Sequence, residues 1–94
     1  MNRVSDIKKV NQLSKIIYER PVEPSTRKNK KYMIMNDDNK LVHFGDLRYQ
    51  DYTKHQDEER RKRYIGRASK IKGNWKKDKY SPNNLAINLL WNPQ

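Results

Sequence analysis

The chain has 94 residues, 33% of them hydrophobic and 35% charged, and its 22 Lys and Arg against 11 Asp and Glu leave a net charge of +11. That length allows one domain with a thin core, and the apolar-to-charged balance lies near the border between a marginal fold and disorder. The lack of cysteine excludes disulfides, thiolate metal sites and a cysteine nucleophile, whereas six Tyr, two Trp and one Phe supply enough buried area per residue to favour a fold.

In chain order, Ser5-Asp6 has the composition of a helix start, and Ile7, Val10, Leu13 and Ile17 follow at three- and four-residue spacing through Tyr18. This predicts a short amphipathic helix whose apolar stripe docks on a partner or on the core. Asp6, Lys8, Lys9 and Lys15 interrupt any apolar run from Met1 to Tyr18, so neither a signal peptide nor a membrane span is expected. Pro21-Val-Glu-Pro24-Ser-Thr then predicts an extended linker, because each proline disfavours helix in the residue before it. Lys31 to Asn36 and Lys40 to Gly45 are β-rich runs around Asp37-Asp38-Asn39, which predicts a hairpin. Val42 and Phe44 share one face of the pleat, which puts His43 on the other and exposes it.

Residues 45–56 show no sustained period, although Leu47, Tyr49 and Tyr52 can pin a loop to the core. A helix is expected from about residue 57, with Tyr64, Ile65, Ala68 and Ile71 on one face, Gly66 weakening its middle and Gly73 just past its end. Ser81-Pro82 has the order of an N-cap and a first-turn proline, and a short helix through Leu85 and Leu89 leads into Leu90-Trp91. Two strands alone are marginal in water, so the helices must cover them. The elements together predict an α+β fold: a small basic domain over 31–94, in which the hairpin packs against one or two short helices. A linker over 21–30 and an N-terminal helical arm over 1–20 precede it.

Charge location is more informative than net charge. Residues 60–80 hold ten bases and one acid, whereas the remainder of the chain holds twelve bases and ten acids. At about 100° per residue, Arg60, Arg63, Arg67 and Lys70 form one stripe of the helix, able to follow a phosphate backbone. Downstream, Trp75 and Tyr80 stand among Lys72, Lys76, Lys77 and Lys79, a mixture of rings and cations that suits unpaired bases. A simpler origin competes with this. Asp57, Glu58 and Glu59 lie where the helix dipole favours acids, and they precede Arg61, Lys62 and Arg63 by four residues, each pair worth about 0.2–0.5 kcal/mol. Those bases are offset by helix energetics, and Arg60, Arg67, Lys70 and the later lysines are not. Trp75 has a competing role as a core residue.

Catalysis has little support. The residues Asp46, Asp51, His55, Asp57 and Glu58 suggest a magnesium-dependent nuclease as a remote alternative, but loop and cap roles explain them equally well. No glycine-rich phosphate loop or nucleophile elbow is present, and no metal site, cofactor or catalytic residue is expected.

The ordered segments Lys31-Tyr-Met, Val42-His-Phe-Gly-Asp46, Asp51-Tyr-Thr-Lys-His, Asp57 to Tyr64, Arg67-Ala-Ser-Lys-Ile71 and Leu89-Leu-Trp-Asn92 resemble small basic proteins encoded by nucleocytoplasmic large DNA viruses. Related segments occur in tailed-phage proteins. The resemblance covers about residues 30–92 and supplies no catalytic residues. Ala68 stands where many such proteins have histidine, and Asn83 to Asn88 replace an aromatic-rich segment, which counts against an activity built on either. The resemblance implies a non-enzymatic viral structural protein, virion-associated or inside the infected cell, neither secreted nor membrane-bound. Its Ile7, Val10, Leu13, Ile17 and Trp91 would dock on other viral structural proteins. Residues 60–80 would face packaged DNA, RNA or an acidic protein surface, and a free nucleic-acid-binding protein of replication or expression is the alternative.

Overall fold

The computed structural model describes residues 5–73 and 75–92 and shows a single α+β domain. Helix α1 spans Ile7–Ile17 and is capped by Asp6, whose carboxylate accepts from the Lys8 and Lys9 amides. Strands β1 (Glu23–Pro24), β2 (Tyr32–Met35) and β3 (Leu41–Phe44) form an antiparallel sheet in that order. Helix α2 (Tyr52–His55) is a single turn ended by the left-handed Gln56, and α3 runs Glu58–Ser69 from its Asp57 cap. A 3-10 turn at Trp75–Lys77 leads to α4 (Pro82–Leu85), which continues as a π-helical turn over Ala86–Leu90.

The pleat sorts the hairpin by face. Tyr32 pairs with Phe44 and Ile34 with Val42 on the core side, with the two rings 6.0 Å apart, while Met33–His43 and Met35–Leu41 pair on the other. His43 thus lies opposite Val42 and Phe44, as the alternation predicts, but it is half-buried because its Nδ1 meets the Ser25 hydroxyl at 2.6 Å. The turn is wider than Asp37-Asp38-Asn39. It is closed by Asn36, whose side-chain oxygen accepts from the Asp38 and Lys40 amides while its own amide bonds the Lys40 carbonyl. Helix α3 begins where its cap composition predicts, and it ends at Ser69 with Lys70 as its C-cap rather than continuing to Ile71.

The expected arm and linker are part of the domain. Val10 is 0% and Leu13 5% exposed, and α1 packs on the π-helical turn. These two side chains are core and not partner anchors; Ile17 packs partly buried against the same cluster, and Ile7 is exposed. An apolar stripe with a covering surface available in its own chain gains more by folding back than by staying in water. Three further bonds fix the return: the Ser14 hydroxyl donates to the Arg20 carbonyl, the Val22 amide donates to Asn11 Oδ1, and the Tyr18 phenol donates to the Lys79 carbonyl. In the expected linker, Pro24 pairs with Tyr32 in β1, at a sheet edge where a residue without an N–H is tolerated.

Among the described residues one ion pair is enclosed. Lys31 Nζ lies 2.9 Å from Asp51 Oδ2 with both side chains at most 2% exposed. Asp51 caps α2 by accepting from the Thr53 amide and hydroxyl, and Thr53 Oγ1 in turn accepts from the Asp6 amide at 2.9 Å and meets the Ser5 hydroxyl at 3.0 Å. The start of β2, the cap of α2 and the start of α1 are thereby joined by a single hydrogen-bonded chain.

Removing one partner of an enclosed pair strands the other. Asp51→Asn is expected to cost about 3–5 kcal/mol in urea unfolding, and adding Lys31→Met is expected to recover most of the loss. The glycines supply a second contrast. Gly45 has φ +84°, and a Cβ there would meet Lys31 Cβ at 2.9 Å, whereas one on Gly66 in α3 would meet nothing within 4 Å. Gly45→Ala should therefore lower stability by about 1–3 kcal/mol, and Gly66→Ala should raise it by about 0.5–1 kcal/mol, both read from urea midpoints.

Candidate functional site: a cationic cleft

Helix α3 has two differently charged faces. Its Arg61 turns toward α2, donating Nε and Nη2 to Glu58 Oε1 and lying 5.8 Å over the Tyr52 ring, while Glu58 Oε2 accepts from the Tyr52 phenol. The acid-before-base pairs at four-residue spacing are not what forms: Asp57 caps the helix through the Glu59 and Arg60 amides, and Arg61 pairs with Glu58, three residues away. Capping satisfies two orphan amides at once, which an exposed ion pair cannot match. Arg60, Arg63 and Arg67, at helical spacing on another face, make no ion pair among the described residues.

Those three arginines line a cleft of about 740 Å³. Lys30 with Gly45, Asp46, Tyr49 and Gln50 of the chain after β3 also line it, the buried or half-buried Lys31, Tyr64, Ala86, Leu90 and Trp91 make its floor, and Pro82 and Asn83 complete the lining. Two contacts hold α3 at this separation from the C-terminal helix. Tyr64 stacks on Trp91 with ring centroids 4.2 Å apart and planes 9° from parallel, and Asn83 Nδ2 donates to the Ala68 carbonyl. Burial pushes the Tyr64 phenol above its usual pKa, so the floor brings no negative charge.

Among the described residues the lining's one carboxylate is Asp46, and Arg48 pairs with it. Arg48 Nε contacts both oxygens and Nη2 lies 2.7 Å from Oδ2, and these hydrogen bonds hold the Asp46 carboxyl down at about 2. Lys31, in the floor, is cancelled by the buried Asp51. What remains uncompensated is Lys30, Arg60, Arg63 and Arg67, four cations around one concavity, which focuses positive potential there.

Of the other residues singled out in the sequence, Lys70, Lys72, Trp75, Lys76, Lys77 and Lys79 lie outside the cleft lining. Trp75 is half-buried. Its indole donates to the Ile71 carbonyl, Lys76 Nζ lies 5.6 Å over its ring, and its own carbonyl accepts from Ser81 and Asn84. Lys79 donates to the Ile17 carbonyl and sits 4.8 Å over Tyr18, so it closes α1 onto the core. Trp91 is an intramolecular ring clamp and not a free docking anchor: its contacts are Tyr64 and, at 5.3 Å, His55. The nuclease set does not converge either. Asp46, Asp51, Asp57 and Glu58 are each engaged as described, and among the described residues no three His, Cys, Asp or Glu side chains are placed to hold a metal. Lys30 is a cleft residue with no local signal in the sequence, and Tyr49, expected to pin its loop to the core, is instead 61% exposed and lines the cleft. Tyr64 is predicted only as a core position.

His55 sits under the clamp. Its Nδ1 accepts from the Asp57 amide at 2.9 Å, so the neutral ring carries its proton on Nε2, which is buried with no hydrogen-bond partner among the described residues. Burial lowers its pKa; Arg60 and Lys31 act in the same direction and Asp57 and Asp51 oppose them. His43 is lowered too, by burial, Arg27 and Lys30.

Residues 21–68, just over half of the chain, match a family of unknown function (DUF5754), and the chain belongs to that family. The match contains Lys31, Asp51, Gly45 and the cleft arginines, and it stops short of Trp91. No curated protein and no solved structure matches the chain. No helix among the described residues is long and apolar enough to cross a membrane.

A folded state that keeps its histidines neutral competes with an unfolded state that binds protons near 6.5. Stability is accordingly full above pH 6.5 and should fall as pH drops from there through the lowered folded values. His55→Asn, whose side-chain oxygen can replace Nδ1 as acceptor for Asp57, is expected to reduce the slope of unfolding free energy between pH 7 and 5 without abolishing it, since His43 remains.

Proposed function

We propose that this member of the DUF5754 family is a non-enzymatic nucleic-acid-binding protein that holds a phosphate backbone in the cleft along α3. The observation that carries the reading is the set Arg60, Arg63 and Arg67, free of ion pairs among the described residues and lining one concavity together with Lys30. Guanidinium forks match phosphate geometry with two parallel N–H···O bonds. A helix face presenting them at positions three and four apart offers successive contacts along a strand. The resemblance to small basic proteins of large DNA viruses supplies the biological setting of this proposal: a virion-associated structural protein, perched between packaged nucleic acid and other structural proteins. A role free in the infected cell uses the same cleft, and finding or missing the protein in purified particles separates the two.

The binding site is narrower than the basic segment 60–80. Arg60, Arg63, Arg67 and Lys30 are its centre, and Lys70, Lys72, Lys76, Lys77 and Lys79 add long-range attraction without lining it. Each phosphate neutralised on a single strand contributes about −0.7 to the slope of log K against log salt. Changing Arg60, Arg63 and Arg67 together to Ala should make that slope shallower by about 2 in titrations of a labelled oligonucleotide. The same number of substitutions among Lys70, Lys72 and Lys76 should change it less. Equal effects from the two sets would refute the cleft as the site, and tighter binding of polyglutamate than of the oligonucleotide would assign it to acidic protein.

A further inference from the structure

We infer that the cleft selects unpaired nucleotides, with Tyr49 as the surface on which a base stacks; this rests on the phosphate-binding reading above. Tyr64 and Trp91 lie face to face at 4.2 Å, so no base can enter between them, and the Trp91 ring also contacts His55. Tyr49 differs: it is 61% exposed while lining the same concavity as Lys30, Arg60 and Arg63.

Exposure of one tyrosine is ordinary for a surface loop. What sets this ring apart is how it is held. Asp46 accepts from the Arg48 amide and side chain and, through its carbonyl, from the Tyr49 amide at 3.2 Å, which closes a tight turn around the carboxylate. The Arg48 guanidinium, fixed by that carboxylate, lies over one face of the Tyr49 ring, 5.5 Å from its centroid, so a base stacks on the opposite face. The ring is therefore presented by a cross-braced turn, and ordering it on binding costs little. A phenol ring held beside guanidinium groups is the pairing that single-strand sites use, the ring for the base and the cations for the flanking phosphates.

Geometry also separates single strands from duplex. In a duplex the base faces are covered by their neighbours and only edges reach the grooves. Tyr49 can therefore meet a base face only where the strand is unpaired, in DNA or RNA. Duplex is left with the arginine contacts alone.

The test compares three probes at one salt concentration: a thymidylate dodecamer, a dodecamer of the same sugar-phosphate length with no bases, and a duplex of the same length. Tyr49→Ala should weaken the thymidylate dodecamer by about tenfold, the scale of one stacked base, and leave the other two probes unchanged. Tyr49→Phe should retain wild-type binding to all three. Loss of thymidylate binding equal to the loss on the baseless probe would overturn the inference, as would no loss at all. The variant with Arg60, Arg63 and Arg67 changed to Ala keeps the two readings apart. If it binds both single-strand probes like the wild type, the phosphate-binding reading fails. If it loses both while Tyr49→Ala loses neither, only the stacking fails.

Discussion

The enclosed Lys31–Asp51 pair is the constraint on which the arrangement depends. Two opposite charges at 2.9 Å and at most 2% exposure have no water to turn to, so each must keep the other. Asp51 also caps α2, and through Thr53 it reaches the first residues of α1. A 94-residue chain cannot specify its packing by a large apolar core, and a polar chain linking three elements that are distant in sequence restricts how they can meet. Gly45 belongs to the same constraint, because the backbone after β3 runs so close to Lys31 that a side chain there would collide with it.

The cleft is a consequence of that frame. With β2 and α2 tied at Asp51, α3 leaves the Gln56–Asp57 corner in a fixed direction, and the Tyr64–Trp91 stack and the Asn83 bond to Ala68 set its distance from the C-terminal helix. Between them lies a space whose floor is apolar or charge-neutral and whose rim is cationic. Four of the acids near it are engaged elsewhere, Asp46 with Arg48, Asp51 with Lys31, Asp57 in the α3 cap and Glu58 with Arg61, and Glu59 lies outside the cleft lining. Positive potential there survives because the compensating acids are locked elsewhere. That distinguishes a ligand surface from a helix whose charges merely follow its dipole.

Much of the secondary structure is legible residue by residue. Asp6 and Ser81 cap helices where their positions suggest, Asp57 opens α3, and the alternation of Tyr32 to Met35 with Leu41 to Phe44 reads out the hairpin and the side that His43 takes. Short elements escape such reading. The two residues of β1 and the four of α2 are too few to show a period, and the proline in β1 argues for an extended linker until a neighbouring strand is there to pair with it. The ion pairs of α3 were legible in kind but not in register, because a cap competes with a pair for the same carboxylate and only geometry decides between them.

By itself the sequence determined what is local: the α+β class, the caps, the hairpin and the concentration of positive charge after residue 57. These follow from periodicity and composition within a few residues, which act before any distant contact forms. Tertiary structure alone decided what depends on distant residues meeting. It folded the N-terminal stripe into the core, because Val10 and Leu13 find the C-terminal helix in their own chain, and it made Trp91, a docking candidate in the sequence, half of a ring stack. It also divided the basic segment, taking three arginines into a cleft with Lys30 and Tyr49 while leaving the later lysines outside. Charge is additive along a chain, but a site requires convergence in space, and that is set by which side chains the fold buries together.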